Sequence, residues 1–308
     1  MTNKPASAAE ISVGEWLGCA RRTLQRRKPG AFLLDGIQGD ESADRETMLA
    51  AQVLLAHVLG KTRTWVLAHP EAILDPNQLS RLNDFFEKLC LGMPLPYLTG
   101  KQEFFGLDFE VNRSVLIPRP ETELLVERAL AWLDSHPDCQ RAADIGTGSG
   151  CIAVSLAARV PYLRWLAVDC SWKALQVARR NVLQHGVSDR VQLLNADLLS
   201  PCAGPFNLAC ANLPYIPHDI LKTLPLLKYE PVQALDGGED GLDLIRSLLA
   251  SAQRWLAPGG LILLEMQFDQ GDKIASIAKN YLPNARVTIL DDLAGSPRLV
   301  EIQNGDND

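Results

Sequence analysis

No part of this sequence is apolar for long enough to cross a membrane. Its most apolar segment, around Met48 to Leu59, is broken by Gln52 and His57, and the opening residues MTNKPASAAE are polar where a signal peptide would be apolar. A cytoplasmic protein is expected. Aromatic residues are scarce, at 6%, too few to suggest a base-stacking surface, and the net charge of -7 argues against coating nucleic acid by phosphate neutralisation. The seven cysteines stand singly, with no C-x-x-C pair and no histidine at ligand spacing, so neither a disulfide framework nor a metal site is expected. Repeats and low-complexity tracts are also absent. One basic run, RRTLQRRK from Arg21 to Lys28, stands out locally and reads as the solvated end of a helix before it reads as a binding patch.

A length of 308 residues with 47% hydrophobic content suits two domains, each with its own core. From about Glu10 to Leu91 apolar residues recur at three-to-four spacing, which predicts helices only. Trp16, Leu17, Ala20 and Leu24 form one stripe, Leu49 to Leu59 a second, and Leu79, Leu82, Phe86 and Leu89 a third, opened by Asp75 as N-cap and Pro76 at the first helical position. Residues 1–93 are therefore expected as a small helical-bundle domain, which carries no chemical signature of its own. Pro94 and Pro96 then stop the helix, and EFFGLDFEV, Glu103 to Val111, has the texture of a β-hairpin. Residues 94–116 are expected as a linker. Across 117–308, a helix from about Glu121 to Leu133 is followed by seven short apolar runs alternating with helical patterns: AADIG, LRWLAVD, VQLLNAD, FNLACAN, LILLEM, RVTIL and LVEI. This pattern predicts a Rossmann-like α/β domain with a seven-stranded, mostly parallel sheet covered by helices on both faces.

The first chemically informative site is Asp144-Ile145-Gly146-Thr147-Gly148-Ser149-Gly150, between a strand and the helix from Cys151 to Arg159. Glycines there let the chain turn tightly and let a ligand approach bare backbone. Asp169 ends the next strand, where a carboxylate can accept from two ribose hydroxyls. A nicotinamide dinucleotide would fit that much. Its fingerprint, however, is G-x-G-x-x-G around a pyrophosphate, whereas D-x-G-x-G-x-G, with an acid ahead of the glycines, suits a nucleoside with an amino-acid end. S-adenosyl-L-methionine is such a cofactor. Asp197, in NAD at the end of the third strand, is placed to accept from an exocyclic adenine amine with Leu198 against the ring; an ordinary helix N-cap is the competing reading.

Asn212-Leu213-Pro214-Tyr215 ends the fourth strand, on the edge where open α/β sheets bind ligands. An amide or aromatic amine nitrogen is a poor nucleophile because its lone pair is delocalised. Two acceptors aimed at its two N–H bonds would hold it in line for methyl transfer and favour the pyramidal nitrogen. Asn212 offers a side-chain oxygen and Leu213 a backbone carbonyl, Pro214 fixes the turn and removes a competing donor, and Tyr215 supplies a flat wall. No strong base is required, so the five histidines are expected at the surface or at helix ends.

With these residues in hand, the sequence resembles the HemK/PrmC family, class I methyltransferases acting on the glutamine N5 of the Gly-Gly-Gln motif of peptide chain release factors. The resemblance runs through PLPYLTG (Pro94 to Gly100), EFFG (Glu103 to Gly106), VLIPRPETELL (Val115 to Leu125), the glycine loop, Asn212 to Pro217, and EPVQALDGGEDGLD (Glu230 to Asp243). It implies that Asp144, Gly146, Thr147, Gly148, Ser149, Gly150 and Asp169 bind the cofactor, Asp197 and Leu198 its adenine, and Asn212 to Tyr215 the substrate amide. Where the family usually has N-P-P-Y, this chain has Leu213, which keeps the carbonyl and should preserve activity with a less rigid turn. N-L-P-Y is also the form found in rRNA adenine dimethyltransferases. N6-adenine methylation of RNA or DNA is therefore the alternative reading, and a non-catalytic cofactor-binding regulator the third.

Overall fold

The computed structural model describes residues 10–26 and 40–305. Part of the basic run, from Arg27 to Lys28, lies outside the described residues. The chain divides into two compact units at Gly100–Lys101.

In the first unit, five helices pack together: α1 (Val13–Arg26), α2 (Asp40–Leu59), α3 (Arg63–Ala68), α4 (Pro76–Cys90) and the single turn α5 (Leu95–Thr99). Asp75 caps α4 as the sequence predicts, its carboxylate accepting from Asn77 N and Gln78 N while the Gln78 side chain accepts from Asp75 N. Trp16, Ala20, Leu54, Leu55, Val66, Leu82 and Leu89 form the core. Trp16 also donates from Nε1 to Asn83 Oδ1 at 3.0 Å, so its polar end is satisfied as its ring is buried.

The second unit begins with the hairpin β1 (Lys101–Phe104) and β2 (Leu107–Glu110). The sequence suggests a linker over 94–116; in the structure Leu95–Thr99 belongs to the helical unit, and the hairpin is packed into the α/β core. Phe104 and Phe109 are buried there, and Asn181 of the helix α8 (Trp172–Gln184) bonds both the N–H and the C=O of Glu110. A 3-10 turn, Pro120–Thr122, leads into α6 (Glu123–Ser135).

The seven predicted strands are all present: β3 (Arg141–Ile145), β4 (Arg164–Asp169), β5 (Val191–Asn195), β6 (Phe206–Ala211), β7 (Leu256–Glu265), β8 (Arg286–Asp291) and β9 (Pro297–Gln303), in the spatial order β5-β4-β3-β6-β7-β9-β8. The first five are mutually parallel, and β9 inserts antiparallel between β7 and β8. α6, α7 (Cys151–Arg159) and α8 cover one face, while α10 (Asp243–Trp255) and α11 (Gly271–Tyr281) cover the other; the short α9 (His218–Leu221) follows β6. The chain runs outward from β3 to β4 and β5 and then returns to β6 on the other side. The strand order thus reverses between β3 and β6, leaving a crevice at their carboxyl ends. Among the described residues, no helix is long and apolar enough to cross a membrane.

Candidate functional site

Register brings the two informative loops together. Ile145 of β3 pairs with Ala211 of β6, so Gly146 and Asn212 leave adjacent strands side by side. Gly146 has φ of +73°, and a Cβ built there would stand 3.1 Å from Leu213 Cδ2, so the glycine serves both the turn and the close approach of the two loops. Gly150, at φ +82°, lies against Ala178 of α8. The two loops, with the ends of β4 and β5, line a cavity of about 810 Å³ whose wall includes Gly146, Thr147, Gly148, Ser149, Asp169, Asp197, Leu198, Asn212, Leu213 and Pro214.

Three residues expected at the site are not on that wall. Asp144 is fully buried beneath the loop, where its Oδ2 accepts from Thr147 Oγ1 at 2.6 Å and from Ala153 N at 3.1 Å. Burial pushes its carboxyl up to about 6 despite these bonds. Gly150 packs inward on Ala178. The Tyr215 ring is half-buried, with its hydroxyl 3.5 Å from Glu265 Oε1, and desolvation raises its pKa well above the phenol range.

Asp169 lies at the end of β4, braced by Gly148 N on one carboxylate oxygen at 2.9 Å and by Ser171 N on the other at 2.8 Å. Each oxygen keeps a lone pair for a further donor. Partial burial raises its pKa. Ser149 Oγ is buried without a partner, and Gly150 gives α7 no side-chain cap, so the first-turn N–H groups near Cys151 and Ile152 remain available at the cavity. Asp197 is exposed in a turn, with no helix following for it to cap, and Leu198 beside it adopts φ of +50°, a strained left-handed conformation for a leucine.

Asn212 donates from Nδ2 to Thr122 Oγ1 at 3.1 Å, which leaves its side-chain oxygen for another donor. Gln270, buried after β7, holds the same loop from behind by donating to the Tyr215 carbonyl at 2.9 Å. The PRPETE run is explained by four ties. Arg119 forms a two-pronged ion pair with Glu230 at 2.7 and 2.8 Å, Thr122 meets Asn212, Thr122 N closes on Arg119 O, and Glu123 accepts from Phe105 N at 2.7 Å. Sequence reasoning missed Thr122, Glu265 and Gln270. A carboxylate closing the otherwise apolar strand LILLE was the one visible signal. His69, His136 and His185 end helices, the first two bonding the carbonyl four residues back. Among the described residues, no group of His, Cys, Asp and Glu side chains is arranged to hold a metal ion.

Residues 38–100 match the PrmC N-terminal domain, and residues 121–223 match the methyltransferase small domain. A release factor glutamine methyltransferase from Moorella thermoacetica is 44% identical over 252 residues, covering 81% of this chain and 89% of that protein. One from Bradyrhizobium diazoefficiens is 35% identical over 296 residues, covering 93% of this chain and 94% of its own. Among solved structures, the hMettl16 catalytic domain in complex with MAT2A 3'UTR hairpin 6 is similar in fold, with a TM-score of 0.53 and 17% identity over 66% of this chain and 77% of that one. On the strength of the full-length relatives, this chain belongs to the release factor glutamine methyltransferase family.

Proposed function

We propose that the protein transfers the methyl group of S-adenosyl-L-methionine to the N5 amide nitrogen of the glutamine in the Gly-Gly-Gln motif of peptide chain release factors. The residues present fit that cofactor. The orphaned Ser149 hydroxyl and the uncapped N–H groups at the start of α7 suit a carboxylate, the two carboxylate oxygens of Asp169 suit a pair of ribose hydroxyls, and Asp197 with Leu198 suits an adenine edge and face. Asp144 and Gly150 serve this binding from beneath, by shaping the loop. When bound, the cofactor supplies an electrophilic methyl group on a sulfonium.

The observation that carries the reading is the pair of acceptors beside Gly146. The Asn212 amide is turned so that its NH2 meets Thr122, and among the described residues nothing donates to the Leu213 carbonyl. These two oxygens take the two N–H bonds of the substrate amide, and Pro214 adds no competing N–H. Held so, the nitrogen is pulled toward the pyramidal form, and the positive charge developing on it meets fixed oxygen dipoles. Tyr215 backs the loop with its ring and its bond toward Glu265. The proton leaves the methylated nitrogen for water, which requires no catalytic histidine.

The test is to incubate the protein with radiolabelled S-adenosyl-L-methionine and either a full-length release factor or its variant with alanine for the motif glutamine. Label in the first and none in the second is expected. Label in neither, or equal label in both, would overturn the assignment.

A further inference from the structure

At the amino ends of the parallel strands, the pole of the sheet opposite the crevice, arginines stand in a row. Arg141 opens β3, Arg164 opens β4, and the two are register partners on neighbouring strands. Trp165 pairs with Val191 of β5, so Arg190, one position earlier, continues the row. Alternation turns the three toward one face, because Ala142, Trp165 and Val191 pack into the core on the other. Like charges side by side on adjacent strands are destabilising, so such a row calls for a counter-charge.

The protein supplies little of it. The connection 196–205 from β5 to β6 carries no helix, so Leu166 and Leu194 are only partly buried and the face stays open as a recess of about 270 Å³. Its wall includes the three arginines, Leu166, Gln192 and Phe206, with Asp189 as the one carboxylate. Asp189 is exposed and comes within 3.3 Å of Arg190 Nε, yet that N–H is buried and makes no hydrogen bond among the described residues. To Arg164 it offers its backbone carbonyl and not its carboxylate. Arg190 Nη2 donates to the Gly186 carbonyl at 3.3 Å, which carries no charge to set against the guanidinium. The Arg141 guanidinium lies over the Phe206 ring, 4.9 Å from its centre, and has no ion pair among the described residues. Three guanidiniums thus face one poorly aligned carboxylate, on a chain whose net charge is -7.

We propose that this recess binds a phosphate group. A guanidinium is a planar fork that matches phosphate oxygens two at a time, and the stacking of Arg141 on Phe206 holds one fork in place. Three forks suit a group with three or four oxygens better than a carboxylate with two. The recess is smaller than the roughly 300 Å³ at which small-molecule pockets begin, so it takes an ion or the phosphoryl end of a larger molecule. It stands apart from the methyl-transfer site, since Gly146 and Asn212 leave β3 and β6 at their other ends. The inference therefore goes beyond the methylation reading and does not depend on it.

The test uses the full chain with Arg141→Gln and Arg164→Gln made separately, in buffers whose ionic strength is held constant with chloride. Isothermal titration with inorganic phosphate should show one site in the unmodified protein, and either substitution should weaken it about tenfold or more, the scale of a lost charge-assisted hydrogen bond. Excess S-adenosyl-L-methionine should leave that titration unchanged. Thermal melting separates ligand binding from a merely structural role. Without phosphate, either variant should melt no lower than the unmodified protein, because a like-charged neighbour has gone. With saturating phosphate, the unmodified protein should gain about 3 °C or more and the variants should not. Glycerol phosphate run beside inorganic phosphate distinguishes the sources: the tighter of the two shows whether the site takes an ester end or the free ion. Absent binding, unweakened binding in both variants, glutamate binding as tightly as phosphate, or displacement of phosphate by S-adenosyl-L-methionine would each overturn the proposal.

Discussion

The two loops that meet at the crevice are held in opposite ways. The loop from Asp144 to Gly150 is organised almost entirely by itself: Asp144 bonds Thr147 and Ala153, Thr147 O accepts from Gly150 N, and positive-φ glycines make the turns. The loop from Asn212 to Tyr215 is organised by residues remote in sequence: Thr122 on the Asn212 side chain, Gln270 on the Tyr215 carbonyl, and Glu265 behind the Tyr215 hydroxyl. A loop that must bind a constant cofactor can be a local motif. A loop that must present two acceptors at a set angle to another protein's side chain needs a scaffold drawn from several elements.

The largest expected effect lies on the second loop. Asn212→Ala removes one of the two proposed acceptors, and turnover should fall on the order of a hundredfold or more with cofactor affinity nearly unchanged. Steady-state kinetics beside a binding titration checks this, and equal losses in both would mean that the loops do not divide their labour as described.

On the first loop the sharpest probe is pH. Burial raises the Asp144 carboxyl from 3.8 to about 6, so the native state holds its proton more tightly than the unfolded chain. The resulting contribution to stability is fully present below about pH 4 and is lost as the pH rises through about 6. Asp144→Asn removes that dependence. Relative to the asparagine variant, the unmodified protein should lose on the order of 3 kcal/mol between pH 4 and 7.5, read from denaturant titrations at both values. A constant difference between the two proteins would show that the buried acid does not titrate in this window.

Gln270→Leu tests the scaffold at a smaller scale. It leaves the Tyr215 carbonyl without its donor in a buried place, at a cost of about 1–3 kcal/mol by chemical denaturation. Turnover should fall more than cofactor affinity, because the strained loop is the one that faces the substrate.

The same contrast governs what could be seen in the sequence. Asp144, the three glycines and Asp169 were legible because their bonds lie within a few residues or at a strand end whose position periodicity reveals. The seven strands and their flanking helices were legible for the same reason. Thr122 and Gln270 were not, because their roles depend on partners 90 and 55 positions away. Composition and spacing also could not foresee that Asp144 supports the loop from below and that Tyr215 turns toward Glu265, since both follow from which way a side chain packs. The hairpin was read correctly as a hairpin, whereas its attachment to α8 through Asn181 depends on a buried amide 71 positions distant.

Leu213 is where the two loops touch, and it offers the finest test of their independence. Its side chain is 3% exposed and lies against Gly146, while its carbonyl is the acceptor proposed for the substrate amide. Leu213→Pro keeps the carbonyl and stiffens the turn, which stabilises by about 0.4–1 kcal/mol through the unfolded chain. It also shortens an apolar side chain that is worth roughly 1.5–3 kcal/mol when fully buried, part of which the proline ring retains. The two effects oppose each other, so the net change in stability should stay within about 1 kcal/mol. Turnover should remain close to that of the unmodified protein. A tenfold loss of turnover at unchanged stability would show instead that the leucine side chain sets the angle of the carbonyl. The first loop would then help to aim the second, through the contact at Gly146.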